Sequence, residues 1–359
     1  YAYPGEIPGT EYFLEVNLVS KYDDGIVSAG TVVAREQFRL PGYLPAESLI
    51  ASAQREIGFN ETNGTFIVNG SDFTVEFSKQ TGTMESWVAD GKELLVTGPQ
   101  PDFWRPPTDN DYGNEMDIRT AVWKKAGKEA ELVSVSASQV SLSQVDIRVS
   151  MIMKNPKGDR VASQETRYSF IGSGDIVVSI SFVKAGSELP ELPRIGMQLQ
   201  IPGEFENLEW FGRGPHENYS DRNSSAFVDL YTSTVDQQYV PYIRPQENGY
   251  KTDTRWLIIK NGNGEGVMVQ GLPLFSWAAL HFTHDDFESP GNLAVFRSDA
   301  GTANTHTTDL VPHDEITLNI DYGQMGVGGD TSWGARTHPE YCLNEPAYNY
   351  AFTLRALLK

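Results

Sequence analysis

The segment Trp104 to Gly113 carries the densest set of polar side chains in the sequence. Asp109, Asn110 and Asp111 follow two prolines, which stiffen the chain ahead of residues that favour turns, so a rigid loop presenting carboxylates is expected. The two carboxylates could bind a cation or the hydroxyls of a sugar, although a spacing of two residues is too common to name a metal. An Asx-rich structural turn is the alternative.

A second polar segment, Gly212 to Arg222, follows an apolar strand that includes Trp210. Its neighbouring His216 and Glu217 could do acid–base work. The alternative, which the residue types favour, is a loop in which the glutamate and an arginine brace each other and the backbone.

The run His281 to Asp286 resembles a metal clip, since it holds two histidines and two aspartates. The rings of His281 and His284 need not converge in a β context, and no cysteine or clear third ligand is nearby. A solvated loop is therefore the favoured interpretation, and no metal site is predicted in this chain.

The most informative segment is the glycine-rich run Gly326 to Gly334. It lacks a lysine and no helical pattern follows it, so nucleotide binding is excluded. Its four glycines allow tight turns and place Trp333 on an exposed loop, where an indole ring can stack on a sugar. The alternative is that Trp333 fills the core.

Alternating strands separated by turn residues must position these segments. Long helical periodicity is nearly absent, and Asp117 to Lys128 is the best helix candidate. The pattern predicts an all-β fold, a large two-sheet antiparallel sandwich. The strands expected from the pattern lie at 11–21, 30–40, 66–70, 73–77, 145–153, 176–182, 266–270, 316–322 and 348–354.

The N-terminal region differs from the rest, because 1–42 offers only a few strands before the breaker cluster at 41–45. Two or three strands are too few for an independent sandwich. We interpret 1–42 as the C-terminal part of an immunoglobulin-like domain, 43–60 as a linker and 61–359 as the main domain. Because the sequence starts abruptly at Tyr1, we expect it to be a piece of a longer chain.

Composition limits the partners. The formal net charge is −20 and no dense cluster of lysine and arginine occurs, which excludes a nucleic-acid binder and disfavours an anionic membrane surface. The single cysteine, Cys342, rules out a disulfide within the chain. No apolar run reaches the length of a membrane span. A neutral partner is expected, and the compartment, cytoplasm or periplasm, stays open.

Five segments resemble, in order and approximate spacing, the C-terminal domain of the large bacterial β-galactosidases of glycoside hydrolase family two. The resemblance runs from about residue 61 to the end of the chain, and 1–60 fits more loosely as the end of the preceding immunoglobulin-like domain. The segments that carry it are Phe77 to Gly82, Phe103 to Gly113, Gly212 to Arg222, Pro245 to Gly249 and Met325 to Trp333.

The resemblance implies an antiparallel supersandwich related to galactose mutarotases, and a separate (β/α)₈ barrel with two catalytic glutamates that perform retaining hydrolysis. It implies that this chain carries no catalytic residue and forms one wall of the active site that binds a β-galactoside. Magnesium and sodium would belong to the full-length enzyme, and a homo-oligomer is left open. The implied substrate-binding residues are Trp333 as a stacking platform and Asp330, Asp109, Asn110, Asp111 and Gly113 near the site entrance.

Two further functions remain as alternatives. A free-standing galactoside-binding module needs no partner, because Trp333 alone could carry it. A mutarotase-like epimerase needs a histidine acid and a carboxylate base facing one sugar ring, and His216 with Glu217 is the one adjacent pair. Neighbours on a strand point to opposite faces, which weighs against that pair.

Overall fold

The computed structural model describes residues 7–44, 55–288, 306–331 and 334–358. The chain divides into two compact units, Tyr1–Ser52 and Ala53–Lys359. The division falls within the predicted linker, while the immunoglobulin-like identity of 1–42 stays a prediction. In the described residues no helix is both long and apolar enough to cross a membrane.

The first unit contains an antiparallel hairpin of β1 (Phe13–Val19) and β2 (Val32–Arg39). Its apolar side chains are exposed on both strands: Leu18 retains 63% of its accessible surface, and Val33 and Phe38 retain more than half. The hairpin therefore has no core of its own.

The second unit begins with an antiparallel meander in the order β3-β4-β5-β6-β7. Inward residues alternate as a half-buried strand requires, with Val68 and Val75 fully buried and paired across β4 and β5. These strands are β3 (Gly58–Glu61), β4 (Thr65–Asn69), β5 (Phe73–Ser78), β6 (Met84–Ala89) and β7 (Lys92–Glu93).

A second sheet has twelve strands among the described residues, all paired antiparallel. Its main path runs β15-β14-β16-β17-β19-β12-β11-β10-β9, and β18 pairs with β17 and leads through β13 to β8. The strands are β8 (Thr97–Asp102), β9 (Glu131–Ser141), β10 (Gln144–Lys154), β11 (Arg160–Ile171), β12 (Asp175–Lys184), β13 (Arg194–Ile201), β14 (Asn207–Gly214), β15 (Phe227–Thr234), β16 (Lys251–Lys260), β17 (Gly266–Leu280), β18 (Ile316–Gln324) and β19 (Ala347–Leu357).

Both sheets bury their inner faces in one hydrophobic core. Phe77 of β5 meets Tyr168 of β11 edge to face at 5.1 Å between ring centroids, and Phe103 contacts Phe182 of β12 at 4.9 Å. Aromatic pairs of this kind add stability beyond the area they bury. The predicted all-β antiparallel fold is confirmed.

The predicted helix at 117–128 is wrong. The chain instead forms α1 (Asp109–Gly113), α2 (Met116–Arg119) and a 3₁₀ turn at Ala121–Trp123. Met116 and Trp123 are buried in this irregular segment. Gly127 packs so closely against the main chain that a Cβ there would stand 2.0 Å from Pro101 O. The other 3₁₀ turns are Asp236–Gln238, His284–Phe287, Thr307–Asp309 and Pro339–Tyr341.

Candidate functional site

The aspartate-rich loop is built around a buried ion pair. Arg105 and Asp111 are buried, and the guanidinium donates from Nη1 to Asp111 Oδ2 at 2.5 Å and from Nη2 to Oδ1 at 3.1 Å. The same carboxylate accepts from Thr108 N (2.8 Å) and Thr108 Oγ1 (2.9 Å), which caps α1. The Asp111 side chain thus fixes the loop from within.

Asp109 and Asn110, in contrast, lie at the surface of the loop. The Asp109 side chain is 64% exposed, and its carboxylate is 3.5 Å from Arg244 Nη1. Gln246 also contacts it, donating from Nε2 at 3.4 Å. Asn110 Nδ2 donates to Val327 O at 3.5 Å, linking this loop to the glycine-rich segment. Asp109 is therefore a carboxylate of this loop that can meet a ligand.

The segment Gly212 to Arg222 supplies a second wall, with Glu217 as its brace. Arg222 Nη2 and Gly249 N each donate to the Glu217 carboxylate at 2.9 Å, and the Tyr242 hydroxyl donates to it as well. His216 instead contacts Ser225 Oγ at 3.0 Å. The structure has the bracing loop that the sequence favoured, and the two side chains of the supposed acid–base pair bind different partners.

Asp221 from the same wall holds the start of the glycine-rich segment. Its carboxylate accepts from Val327 N at 3.2 Å and from Gly328 N at 2.7 Å. A Cβ on Gly326 would lie 2.5 Å from the Asp221 Cγ, so only glycine permits this approach. Arg105 Nη2 donates to Gly326 O at 3.2 Å, which joins the segment to the buried ion pair.

Trp333, the predicted stacking residue, lies outside the described residues, so its role stays a prediction. Its neighbour Gly334 has φ +114°, and a Cβ there would stand 2.4 Å from Gly113 O. The glycine-rich segment therefore meets the end of α1 at Gly113. Asp330 is exposed and its Oδ1 contacts His338 Nε2 at 2.9 Å; this carboxylate raises the pKa of His338.

Four of the five segments identified in the sequence meet at one cleft of about 150 Å³. Sequence reasoning did not single out the tyrosines of this cleft, because nothing in the local pattern separates a cleft tyrosine from a core one. The lining residues are Thr108, Asp109, Asn110, Tyr219, Arg222, Tyr242, Gln246, Glu247 and Val327.

A buried charge network lies beneath the cleft. Glu247 lines the cleft, and its Oε2 is 3.3 Å from Arg194 Nη2; Asp321 Oδ2 is 3.2 Å from Arg194 Nη1. Burial raises the pKa of Glu247 and Asp321 despite the arginine. Arg194 lies in β13, distant in sequence from the polar segments, and no local pattern marked it as part of the site.

The expected solvated loop at His281 to Asp286 is wrong for both histidines. The side chains of His281 and His284 retain only 13% and 11% exposure. Burial lowers the pKa of His284 to about 4. The two rings contact different carboxylates: His284 faces Asp102 and His281 faces Glu206. Their partners come from distant parts of the chain, which is why local sequence could not reveal them.

Residues 69–354 match the β-galactosidase small-chain family, and the chain belongs to that family. The β-galactosidase of Priestia megaterium is 36% identical over 356 residues, which cover 99% of this chain and 32% of that protein. The β-galactosidase of Pseudoalteromonas haloplanktis is 31% identical over 358 residues, covering 96% and 32%. The chain thus spans about one third of the length of these curated relatives.

Similarity to solved structures is weak. Galactose 1-epimerase from Lactobacillus acidophilus NCFM has a TM-score of 0.43 at 10% identity, covering 85% of this chain and 99% of that one. A glycoside hydrolase family 97 enzyme from Pseudoalteromonas sp. strain K8 has a TM-score of 0.40 at 9% identity, covering 81% and 35%. At these TM-scores the two likenesses carry no argument about function.

Proposed function

We propose that this chain is the C-terminal, substrate-shaping part of a β-galactosidase that hydrolyses terminal β-D-galactosides by a retaining mechanism. One observation carries the proposal: four segments of a family whose curated relatives are β-galactosidases converge on a single polar cleft. The galactoside and a (β/α)₈ barrel of the same longer polypeptide are the proposed partners.

The state of the cleft carboxylates supports a division of labour. Retaining hydrolysis needs two carboxyl groups roughly 5 Å apart across the glycosidic bond, one as acid/base and one as nucleophile. Here Asp111 is bound by Arg105, Glu217 by Arg222 and backbone, and Asp221 by backbone amides. Groups held in this way are scaffolding, so the catalytic glutamates belong to the barrel and this chain alone is inactive.

The remaining exposed groups suit sugar recognition. Asp109 and Asp330 present carboxylates that can accept hydrogen bonds from sugar hydroxyls, and Asn110 offers an amide beside them. Trp333 supplies the stacking face. In this proposal the magnesium and sodium expected from the resemblance belong with the barrel.

The test is Trp333→Ala in the longer enzyme. An aromatic stack is worth on the order of 1 kcal/mol, so KM for a β-galactoside, or for an acceptor sugar, should rise roughly fivefold while the protein stays folded. Trp333→Phe should recover most of the loss. Trp256→Ala, a partly exposed tryptophan of β16 outside the cleft, is the matched control. Unchanged kinetics for Trp333→Ala would overturn the assignment.

A free-standing galactoside-binding module is the second candidate, and one observation favours it: the cleft offers a sugar hydroxyl the exposed carboxylate of Asp109. Calorimetry of the isolated chain with galactose and lactose separates the two. Millimolar or tighter binding supports the module, whereas no heat at high sugar concentration removes it.

A further inference from the structure

A second polar cluster, of two acidic residues and a histidine, lies at the opposite end of β14 from the cleft. Glu206 precedes β14, Asp236 follows β15 and His281 follows β17. Their possible ligand atoms all lie within 4.8 Å of one another. The three residues are 30 and 45 positions apart in sequence, so the fold alone brings them together.

The two ring nitrogens of His281 have the hydrogen-bond pattern that is usual for a metal-bound histidine. Its Nδ1 lies 3.1 Å from His313 O and 3.3 Å from Glu315 O. Both partners are acceptors, so Nδ1 carries a hydrogen and donates it. Nε2 then points at Glu206 Oε2, 2.9 Å away. A metal-bound histidine almost always donates its other ring nitrogen to a carbonyl or carboxylate in this way.

The backbone around the two carboxylates is fixed. Val235 N donates to Glu206 O at 3.0 Å, and Asp236 N donates to Glu206 Oε1 at 2.9 Å. Phe205 and Val235, the residues just before them, are buried at 0% and 1% exposure. The main chain beside Glu206 and Asp236 is therefore held by hydrogen bonds and by buried neighbours.

Charge in this cluster is unbalanced. Within the described part of the chain, His281 is the one basic side chain in ion-pair reach of Glu206, and Asp236 forms no ion pair. Two carboxylates thus face a single imidazole in a protein of formal net charge −20. A protonated His281 would offset one negative charge, whereas a divalent cation would offset both.

We propose that Glu206, Asp236 and His281 bind a divalent transition-metal ion, with zinc as the best fit. One imidazole nitrogen and two carboxylate oxygens match zinc ligation, whereas calcium and magnesium prefer oxygen ligands alone. Tetrahedral ligands about 2.0 Å from zinc stand roughly 3.3 Å apart. Here the His281–Glu206 nitrogen–oxygen distance is 2.9 Å, and the whole set lies within 4.8 Å. With three protein ligands the fourth position would be filled by water, and the ion would tie together the chain before β14, after β15 and after β17.

The experiment is titration of the purified full chain with zinc chloride by calorimetry at pH 7.5. One ion per chain is expected to bind, with magnesium about 100-fold weaker or more. His281→Gln, Glu206→Gln and Asp236→Asn should each weaken zinc binding about tenfold or more. At a zinc concentration 100 times Kd the Tm should rise by roughly 4 °C.

His306→Gln is the matched control, because it also removes a histidine beside an aspartate, Asp309, outside the cluster. It should leave zinc binding unchanged. Asp236 is exposed, so Asp236→Asn keeps the test informative if the other variants fold poorly. Absence of stoichiometric binding, or equal affinity in wild type and Asp236→Asn, would overturn the proposal. Neither result bears on β-galactosidase activity.

Discussion

The cleft and the N-terminal hairpin differ in whether their side chains have partners within the described chain. In the cleft, buried Asp111 has Arg105, and Asp221 binds backbone amides of the glycine-rich segment. In the hairpin, Leu18, Val33 and Phe38 stay more than half exposed within their unit. The polar groups around the cleft have partners within this chain, whereas the apolar side chains of the hairpin are left exposed.

This contrast explains which substitutions should matter in the isolated chain. A group whose partner is buried with it leaves an unpaired charge or donor when that partner is removed. A group already in water loses little. The expected loss of stability is therefore largest for a buried charge and smallest for an exposed apolar side chain.

Removing the buried guanidinium should have the largest effect. Arg105→Ala leaves the Asp111 carboxylate buried without its cation, so the free energy of unfolding of the second unit should fall by about 3–5 kcal/mol. Urea denaturation measures this loss. Arg55→Ala, at an arginine whose side chain is 58% exposed and paired with Asp72, should cost less than about 1 kcal/mol. Equal small losses for both variants would mean that the buried pair does not hold the loop.

The buried amine of Lys251 should make stability depend on alkaline pH. Its Nζ lies 5.8 Å and 5.6 Å from the ring centroids of Trp210 and Trp277, and burial lowers its pKa to about 8. Between pH 8 and 10.5 the unfolded chain binds the extra proton, so wild type should gain about 1–3 kcal/mol relative to Lys251→Met as pH rises through that window.

Urea unfolding at pH 7, 9 and 10 checks the Lys251 prediction. Lys125→Met, at a side chain that is 71% exposed, is the control and should show no such change. A pH-independent difference between wild type and Lys251→Met would show that the amine is not desolvated.

Loosening the glycine-rich segment should have a smaller effect. Asp221→Asn weakens the two hydrogen bonds from Val327 N and Gly328 N, at a cost of about 1–2 kcal/mol. Hydrogen exchange at these two amides should speed up while the strands keep their protection. Asp229→Asn, an exposed aspartate of β15, is the control. Unchanged exchange in Asp221→Asn would contradict its role as the anchor of the segment.

The hairpin should be least sensitive. Leu18→Ser in this chain should change the free energy of unfolding by less than about 0.5 kcal/mol, because the side chain is already 63% exposed. In a longer polypeptide that covers the hairpin the same change should cost about 1.5–3 kcal/mol. Thermal unfolding of both proteins gives the comparison, and equal costs would mean that nothing covers this face.

The local sequence pattern was sufficient to predict strands, but it could not predict pairs of residues that lie far apart in the sequence. Alternation at 145–153 predicted β10 because period-two burial is written in adjacent residues. The burial of His281 depends on Glu206, and that of Glu247 on Arg194, and no local periodicity encodes such pairs. The family resemblance implied a shared site for the glycine-rich and aspartate-rich segments, and within it Asp111 is bound by Arg105 inside its loop.

The most direct test of the central claim is hydrolysis of a chromogenic β-galactoside by the purified 359-residue chain, beside the longer β-galactosidase polypeptide that we propose it belongs to. The account predicts no turnover above the uncatalysed rate by the chain alone and clear turnover by the longer protein. Hydrolysis by the isolated chain would contradict it, because the catalytic carboxylates would then lie within these residues.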